Sequence, residues 1–151
     1  LRGLFPQPLD VRRSGEAREP APVLVQQFVD AGRELRVFVV GDRTIGFRVQ
    51  KLDPAQLWVD PESVVVEPAE VPESLAERLL ELCRTWGLAV AGFDLLGVGD
   101  DWVFLEVNVN CDWRWFEHRA GSAEVSTAVH DWVRTRFQEL SATASGGWGP
   151  W

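Results

Sequence analysis

Apolar and polar positions alternate along the first third of the chain in a way that predicts β-strands. Apolar-rich segments favour strands over residues 23–29, 35–40 and 44–50. The residues Gly41-Asp42-Arg43 between the last two segments are typical of a tight turn. These two strands are therefore expected to form an antiparallel hairpin.

A second hairpin is predicted later in the chain. Residues 89–96 and 102–109 are both strand-like, and a segment rich in glycine and aspartate, 97–101, separates them. A shorter strand is expected over residues 63–67. The chain thus contains enough strand segments for one sheet built mainly from hairpins.

Two segments follow helical periodicity. The first extends over residues 72–86, with Pro72 suited to its first turn and Gly87 to its C-terminal end. The second is capped by Ser122 and ends near residue 140. Segment 110–121, rich in tryptophan and charged residues, is predicted to be a loop. The shared apolar face of the final helix comprises Val125, Val129, Trp132, Val133, Phe137 and Leu140.

The order of these elements predicts an α+β fold, with a largely antiparallel sheet and helices packed on one face. We expect three parts along the chain. Residues 1–22 form a loop or the remnant of an upstream region, residues 23–140 form the folded unit, and residues 141–151 form a disordered tail.

Composition narrows the class of function. The net charge of -8 argues against non-specific nucleic-acid binding, which requires a basic surface. The sequence has neither an apolar run long enough to span a bilayer nor a secretory signal pattern. Its two cysteines do not make a disulfide framework, and because no export signal is found, the reducing cytoplasm is the expected compartment. The chain starts at Leu1 and contains no methionine, so we expect a piece of a longer protein.

The clearest candidate chemistry lies on the second hairpin. Alternation places Glu106 and Asn108 on the same face of their strand. If the hairpin turn is Gly99-Asp100-Asp101, Asp94 lies opposite Glu106 on that face. Two facing carboxylates repel each other, but a hard cation between them reverses the effect, and oxygen ligands of this kind favour Mg²⁺. The sequence therefore predicts a magnesium site formed by these three residues.

The first hairpin carries a matching feature of opposite charge. If its turn is Gly41-Asp42-Arg43, Arg36 lies opposite Arg48. Two facing guanidinium groups suit a shared anion such as a phosphate. Polar residues on either hairpin are, taken alone, more typical of a solvated sheet face. Asp94 lies in an otherwise apolar strand, where an unpaired charge is costly, so the combined pattern favours a metal–polyphosphate site.

These residues resemble the ATP-grasp superfamily over roughly residues 23–133. Gln26-Gln-Phe-Val29 looks like the hinge strand whose backbone meets adenine, and Glu34-Leu-Arg-Val-Phe-Val-Val-Gly41 looks like the family's arginine strand. Gly92-Phe-Asp-Leu-Leu96 and Leu105-Glu-Val-Asn108 resemble its two metal-binding segments. The resemblance identifies the fold as the C-terminal subdomain of an ATP-grasp ligase.

The resemblance implies that Asp94, Glu106 and Asn108 hold Mg²⁺ and that Arg36 and Arg48 stabilise the transferring phosphoryl group. It also implies that ATP contacts the hinge residues Gln26, Gln27, Phe28 and Val29. The expected reaction activates a carboxylate as an acyl phosphate, which an amine or hydroxyl then attacks. The products would be an amide or ester, ADP and phosphate.

A narrower resemblance involves Asn108-Val-Asn-Cys-Asp-Trp-Arg-Trp-Phe-Glu117, which is similar to a motif of ATP-grasp peptide maturases such as the microviridin ligases. It implies a precursor peptide as partner beside ATP, and a homodimer is a further option. Core packing explains the two tryptophans equally well.

Other ATP-grasp ligases, such as glutamate ligases, and a non-catalytic binding module are the alternative functions. The family's phosphate-binding lysines belong to upstream domains, and the sole lysine, Lys51, follows the arginine hairpin. We therefore expect this piece to be inactive or nearly inactive alone, without the N-terminal and lid domains.

Overall fold

A five-stranded antiparallel sheet forms the centre of the computed structural model, which describes residues 27–51, 64–110 and 112–145. Each strand pairs antiparallel with its neighbours, in the order β3-β2-β1-β4-β5. The strands are β1 (Arg33–Val40), β2 (Arg43–Lys51), β3 (Val64–Ala69), β4 (Val90–Val98) and β5 (Asp101–Asn108). The predicted α+β class and antiparallel sheet are confirmed.

Both hairpins close through turns one residue shorter than predicted. Val40 pairs with Arg43 across the first turn, and Val98 pairs with Asp101 across the second. The first residues of these turns are glycines with positive φ, 62° at Gly41 and 58° at Gly99, a conformation that other residues adopt only at a cost. The shorter turns change the register of both hairpins.

Three helices complete the described part of the chain: α1 (Glu73–Trp86), α2 (Trp113–Ala120) and α3 (Glu124–Ser145). The prediction of a loop over residues 110–121 is wrong, because α2 occupies most of that segment. The Asp112 side chain accepts a hydrogen bond from the Arg114 amide at the start of α2, and Gly121 ends the helix in the left-handed conformation.

The helices pack on both faces of the sheet, and not on one face as predicted. Leu75, Leu79 and Cys83 of α1 pack on the face that carries Val37 and Phe93. The opposite face carries a second buried cluster that joins the sheet to α2 and α3, and its aromatic members are Phe38, Phe47 and Phe116. The sheet therefore has a buried apolar cluster on each face.

Helix α3 differs from its prediction in two respects. Val125 and Ala128 in its first half are buried, but Val133, Phe137 and Leu140 of the predicted apolar face are exposed, Phe137 to 70%. The helix also continues to Ser145, so it includes the first residues of the predicted disordered tail. Residues 146–151 lie outside the described residues, as does the predicted loop over residues 1–22.

The predicted first strand, over residues 23–29, is not supported where the structure describes it. Residues 27–29 lie outside the five strands, and residues 23–26 lie outside the described part of the chain. Among the helices of the described ranges, none combines the length and apolar character that crossing a membrane requires.

Candidate metal and phosphate site

Three polar side chains on β4 and β5 come together on the face covered by α2 and α3. Asp94 lies directly opposite Glu106, and Asn108 lies opposite Gly92 on the same face. The Asn108 amide nitrogen donates to Asp94 Oδ2 at 3.2 Å and to Glu106 Oε1 at 2.7 Å. The predicted facing arrangement of Asp94 and Glu106 is therefore present, with Asn108 bridging the two carboxylates.

A β-bulge produces this arrangement. With the two-residue turn, the register at the start of the hairpin pairs Leu95 with Phe104, and continuing it would place Asp94 opposite Leu105. The register shifts between Asp94 and Leu95, so Leu105 is passed over and Asp94 meets Glu106. Without the bulge Glu106 would point to the opposite face of the sheet, since successive side chains alternate.

Arg36 of β1 adjoins this cluster from the other side. It lies directly opposite Asp94 in the β1–β4 pairing and forms an ion pair with Asp94 Oδ2. Both side chains are largely buried, with 9% of Arg36 and 14% of Asp94 exposed. Burial raises the pKa of Asp94 to about 6, because desolvation disfavours the carboxylate more than the Arg36 charge favours it; Glu106 adds to the rise.

The predicted pairing of Arg36 with Arg48 is wrong. The shorter first turn places Phe47 opposite Arg36 and Leu35 opposite Arg48. Arg48 therefore points to the opposite face of the sheet, where it is half exposed and pairs with its cross-strand neighbour Glu67. The two arginines cannot share one anion across the hairpin, since the sheet separates them.

Lys51, which was expected to follow the arginine hairpin, is the last residue of β2 and lies on the same face as Arg36. Its ammonium group lies 2.7 Å from Glu34 Oε1, and both side chains are largely buried. The alternation of β2 could have revealed this position if the strand had been extended by one residue. This face of the sheet therefore carries two neighbouring ion pairs, Lys51 with Glu34 and Arg36 with Asp94.

The predicted adenine-binding segment is only partly described. Gln27 and Phe28 are exposed, Phe28 to 66%, and Val29 is half-buried. Gln26 lies outside the described residues. The contact of these four residues with adenine stays a prediction.

The oxygen ligands at Asp94, Glu106 and Asn108 fit a magnesium ion. Asp94 Oδ1 is buried and has no hydrogen-bond partner among the described residues, so it is a polar atom that a cation would satisfy. No group of three His, Cys, Asp or Glu side chains in the described ranges could hold a metal. The Asn108 amide therefore has to supply the third protein oxygen, which requires its side-chain amide to rotate by about half a turn.

Comparison with protein families indicates the same family as the sequence motifs. The model of the RimK-like ATP-grasp domain matches residues 14–133, most of the chain. The chain belongs to the ATP-grasp family. A comparison with curated proteins gave no match.

Several solved structures of ATP-grasp enzymes are similar to the chain. The macrocyclase MdnC from Microcystis aeruginosa MRC, bound with its precursor peptide MdnA, is 26% identical with a TM-score of 0.56, over 68% of this chain and 33% of that one. The macrocyclase MdnB from the same organism is 25% identical with a TM-score of 0.53, over 72% and 38%.

A RiPP-associated ATP-grasp ligase from Chryseobacterium gregarium, in complex with ADP and a leader and core peptide, is 20% identical. Its TM-score is 0.60 over 72% of this chain and 34% of that one. At this level of identity, the similarity shows a shared fold alone. The chain spans between 33% and 38% of the length of these three proteins.

Proposed function

We propose that the chain forms the metal- and phosphate-binding part of an ATP-dependent ligase that joins a carboxylate to an amine or hydroxyl, with a ribosomal precursor peptide as substrate. The observation that carries the proposal is the facing pair Asp94 and Glu106, bridged by Asn108. Membership of the ATP-grasp family supports ATP as the nucleotide.

The roles of the residues follow from their charge and position. Asp94, Glu106 and Asn108 would hold Mg²⁺ through oxygen atoms. Such an ion would supply positive charge that offsets the negative charge developing during phosphoryl transfer. Arg36 is fixed beside the metal ligands and would orient an anionic oxygen of ATP or of the acyl phosphate. The predicted catalytic role of Arg48 has no support from the register, and it is not part of this proposal.

The peptide substrate rests on the similar macrocyclases. MdnC and MdnB are at least 25% identical to the chain, and MdnC was solved with its precursor peptide. A short reading frame beside this gene that encodes acidic residues together with Thr, Ser or Lys would favour peptide cross-linking over a glutamate-type ligase. The possible homodimer remains a prediction.

Magnesium binding tests the site directly. We expect Mg²⁺, added alone and with ATP, to shift the side-chain amide resonance of Asn108 in NMR spectra of the chain, because the amide has to reorient. Asp94→Asn and Glu106→Gln should each weaken Mg²⁺ binding by about tenfold or more, since each removes a charged ligand.

Glu67→Gln is the matched control for this titration. It removes one carboxylate from the same sheet, but Glu67 pairs with Arg48 on the opposite face. Magnesium affinity should be unchanged in this variant. Equal weakening in all three variants would show a general charge effect, and no Asn108 shift in the wild-type chain would refute the metal site.

Ligase activity requires a separate test with the complete product of the gene. We expect ADP release that depends on a precursor peptide and that Glu106→Gln abolishes. ADP release at the background rate with every candidate peptide, and at the same rate in the variant, would favour a non-catalytic binding module.

A further inference from the structure

We propose that Phe116, held in place by Glu117, is a positioning residue that fixes the guanidinium group of Arg36 for the site described above. This proposal rests on the proposed function, in which Arg36 orients an anionic oxygen of ATP or of the acyl phosphate. It assigns a role to α2, which belongs to the tryptophan-rich motif but supplies none of the metal ligands.

Among the described residues, two aromatic rings form a corner around Arg36. The centre of its guanidinium group is 5.0 Å from the ring centroid of Phe116 and 5.4 Å from that of Phe38. These rings are 5.4 Å apart and inclined by 72°, so they contact the cation from two directions. Ring faces attract a cation, and the attraction is stronger where water is excluded, as it is around this buried side chain.

The corner restricts a side chain that would otherwise be mobile. A free arginine populates many rotamers, and its value as an anion ligand depends on the orientation of its planar group. Asp94 holds one edge of the guanidinium group, and the two rings limit its tilt. Phe38 comes from the same strand as Arg36, so α2 supplies the constraint that the sheet alone does not.

Glu117 connects α2 to α3 and thereby fixes Phe116. Its carboxylate is buried and accepts hydrogen bonds from the Ser126 amide at 2.8 Å and from Ser126 Oγ at 2.5 Å. Trp113 Nε1 donates to the same Ser126 Oγ at 3.0 Å. The first residue of α2 and a residue one turn later are thus bonded to the first turn of α3, and Phe116, which lies between them in sequence, belongs to the buried core.

The side-chain dynamics of Arg36 distinguish a positioning role of Phe116 from a purely structural role in core packing. In the ¹⁵N-arginine-labelled chain, the Arg36 resonances can be assigned from an Arg36→Lys variant. We expect the Hε proton to exchange slowly with solvent and the Nη groups to rotate slowly. Phe116→Leu should accelerate both processes by roughly tenfold, since it removes a desolvated ring–cation contact.

Phe47→Leu is the matched control. Phe47 belongs to the same buried cluster, with its ring 6.0 Å from Phe116 and 5.9 Å from Phe38. Within the described part of the chain it is not one of the rings stacked on Arg36. Its replacement should cost similar stability but leave Arg36 dynamics nearly unchanged. Equal acceleration in both leucine variants would overturn the proposal.

A second measurement covers the case in which Phe116→Leu does not fold. Phenylalanine analogues with increasing fluorination at position 116 keep the ring but reduce the negative charge on its face. Arg36 motion should increase stepwise with fluorine content, and a flat series would overturn the proposal. Glu117→Gln, which keeps an acceptor for the Ser126 amide, should behave like the wild-type chain, whereas Glu117→Ala should mobilise Arg36.

Magnesium titration of the same samples separates this inference from the proposed function. If Mg²⁺ leaves Asn108 unshifted in the wild-type chain, the metal site fails. The ring–guanidinium result is measured without metal or nucleotide, so it stands or falls independently.

Discussion

Replacing Glu117 by alanine should destabilise the fold strongly, although Glu117 is not a proposed metal ligand. Its side chain is only 7% exposed and accepts two hydrogen bonds from Ser126, the third residue of α3. Glu117 therefore caps α3 from a different helix. In Glu117→Ala the Ser126 amide loses the acceptor that it has in the native protein.

The size of the effect can be worked out from these contacts. A hydrogen bond to a charged group contributes about 1.5–3 kcal/mol, and loss of a helix cap costs about 0.5–2 kcal/mol. The two bonds share Ser126 and are not additive, so we expect Glu117→Ala to lower the free energy of unfolding by about 3 kcal/mol. For a chain of this length that corresponds to a fall in Tm of roughly 6–12 °C.

Urea unfolding followed by circular dichroism measures this change. Glu117→Gln should lose about 1 kcal/mol, because the amide oxygen can still accept from the Ser126 backbone. Glu139→Ala is a control on α3: Glu139 is exposed and pairs with Arg136, and its loss should cost less than about 0.5 kcal/mol. A loss for Glu117→Ala no larger than that of Glu139→Ala would refute the capping role.

Three further predictions concern turns, surface and core. Gly41→Ala should cost about 2–3 kcal/mol of unfolding free energy, because Gly41 has positive φ and an added Cβ would lie 2.7 Å from Trp132. Gly99→Ala, with positive φ but open space around it, should cost only about 1 kcal/mol, and equal urea midpoints for the two variants would contradict the contact. Phe137→Ala should change stability by less than about 0.5 kcal/mol, since the ring is exposed; a loss above about 2 kcal/mol would show that the ring is covered in solution. Burial raises the pKa of Cys83, so iodoacetamide should label this thiol far more slowly in the native chain than in urea, as peptide mass spectrometry can measure; equal rates would contradict its burial.

Strand and helix periodicity predicted the sheet and α1 because their apolar positions recur over many residues. Helix α2 was missed because it has only eight residues, too few for a clear helical period. Its stability comes from contacts distant in sequence, such as the bonds between Glu117 and Ser126. The exposed half of α3 was predicted as core because periodicity shows which residues share a face, but not whether anything covers it.

The candidate site was predictable only in part, because register depends on single residues in turns and bulges. Both hairpins were assigned turns one residue too long. In the first hairpin no bulge offsets the shorter turn, so Arg48 lies on the opposite face from Arg36. In the second hairpin, the extra unpaired residue Leu105 in the bulge compensates for the shorter turn, so Glu106 still faces Asp94.

The difference between the two hairpins has a physical basis in what each register would bury. A regular β4–β5 ladder would place Glu106 on the face of Phe93 and Leu95, which α1 covers with apolar side chains. The bulge avoids that cost and places Glu106 and Asn108 on the face of Asp94, whose Oδ2 accepts a hydrogen bond from the Asn108 amide. In the first hairpin, the regular register places Phe47 in the aromatic core and leaves Arg48 half exposed, so a bulge would gain nothing. The bulge is therefore found in the hairpin where a regular ladder would have directed a carboxylate into the apolar face.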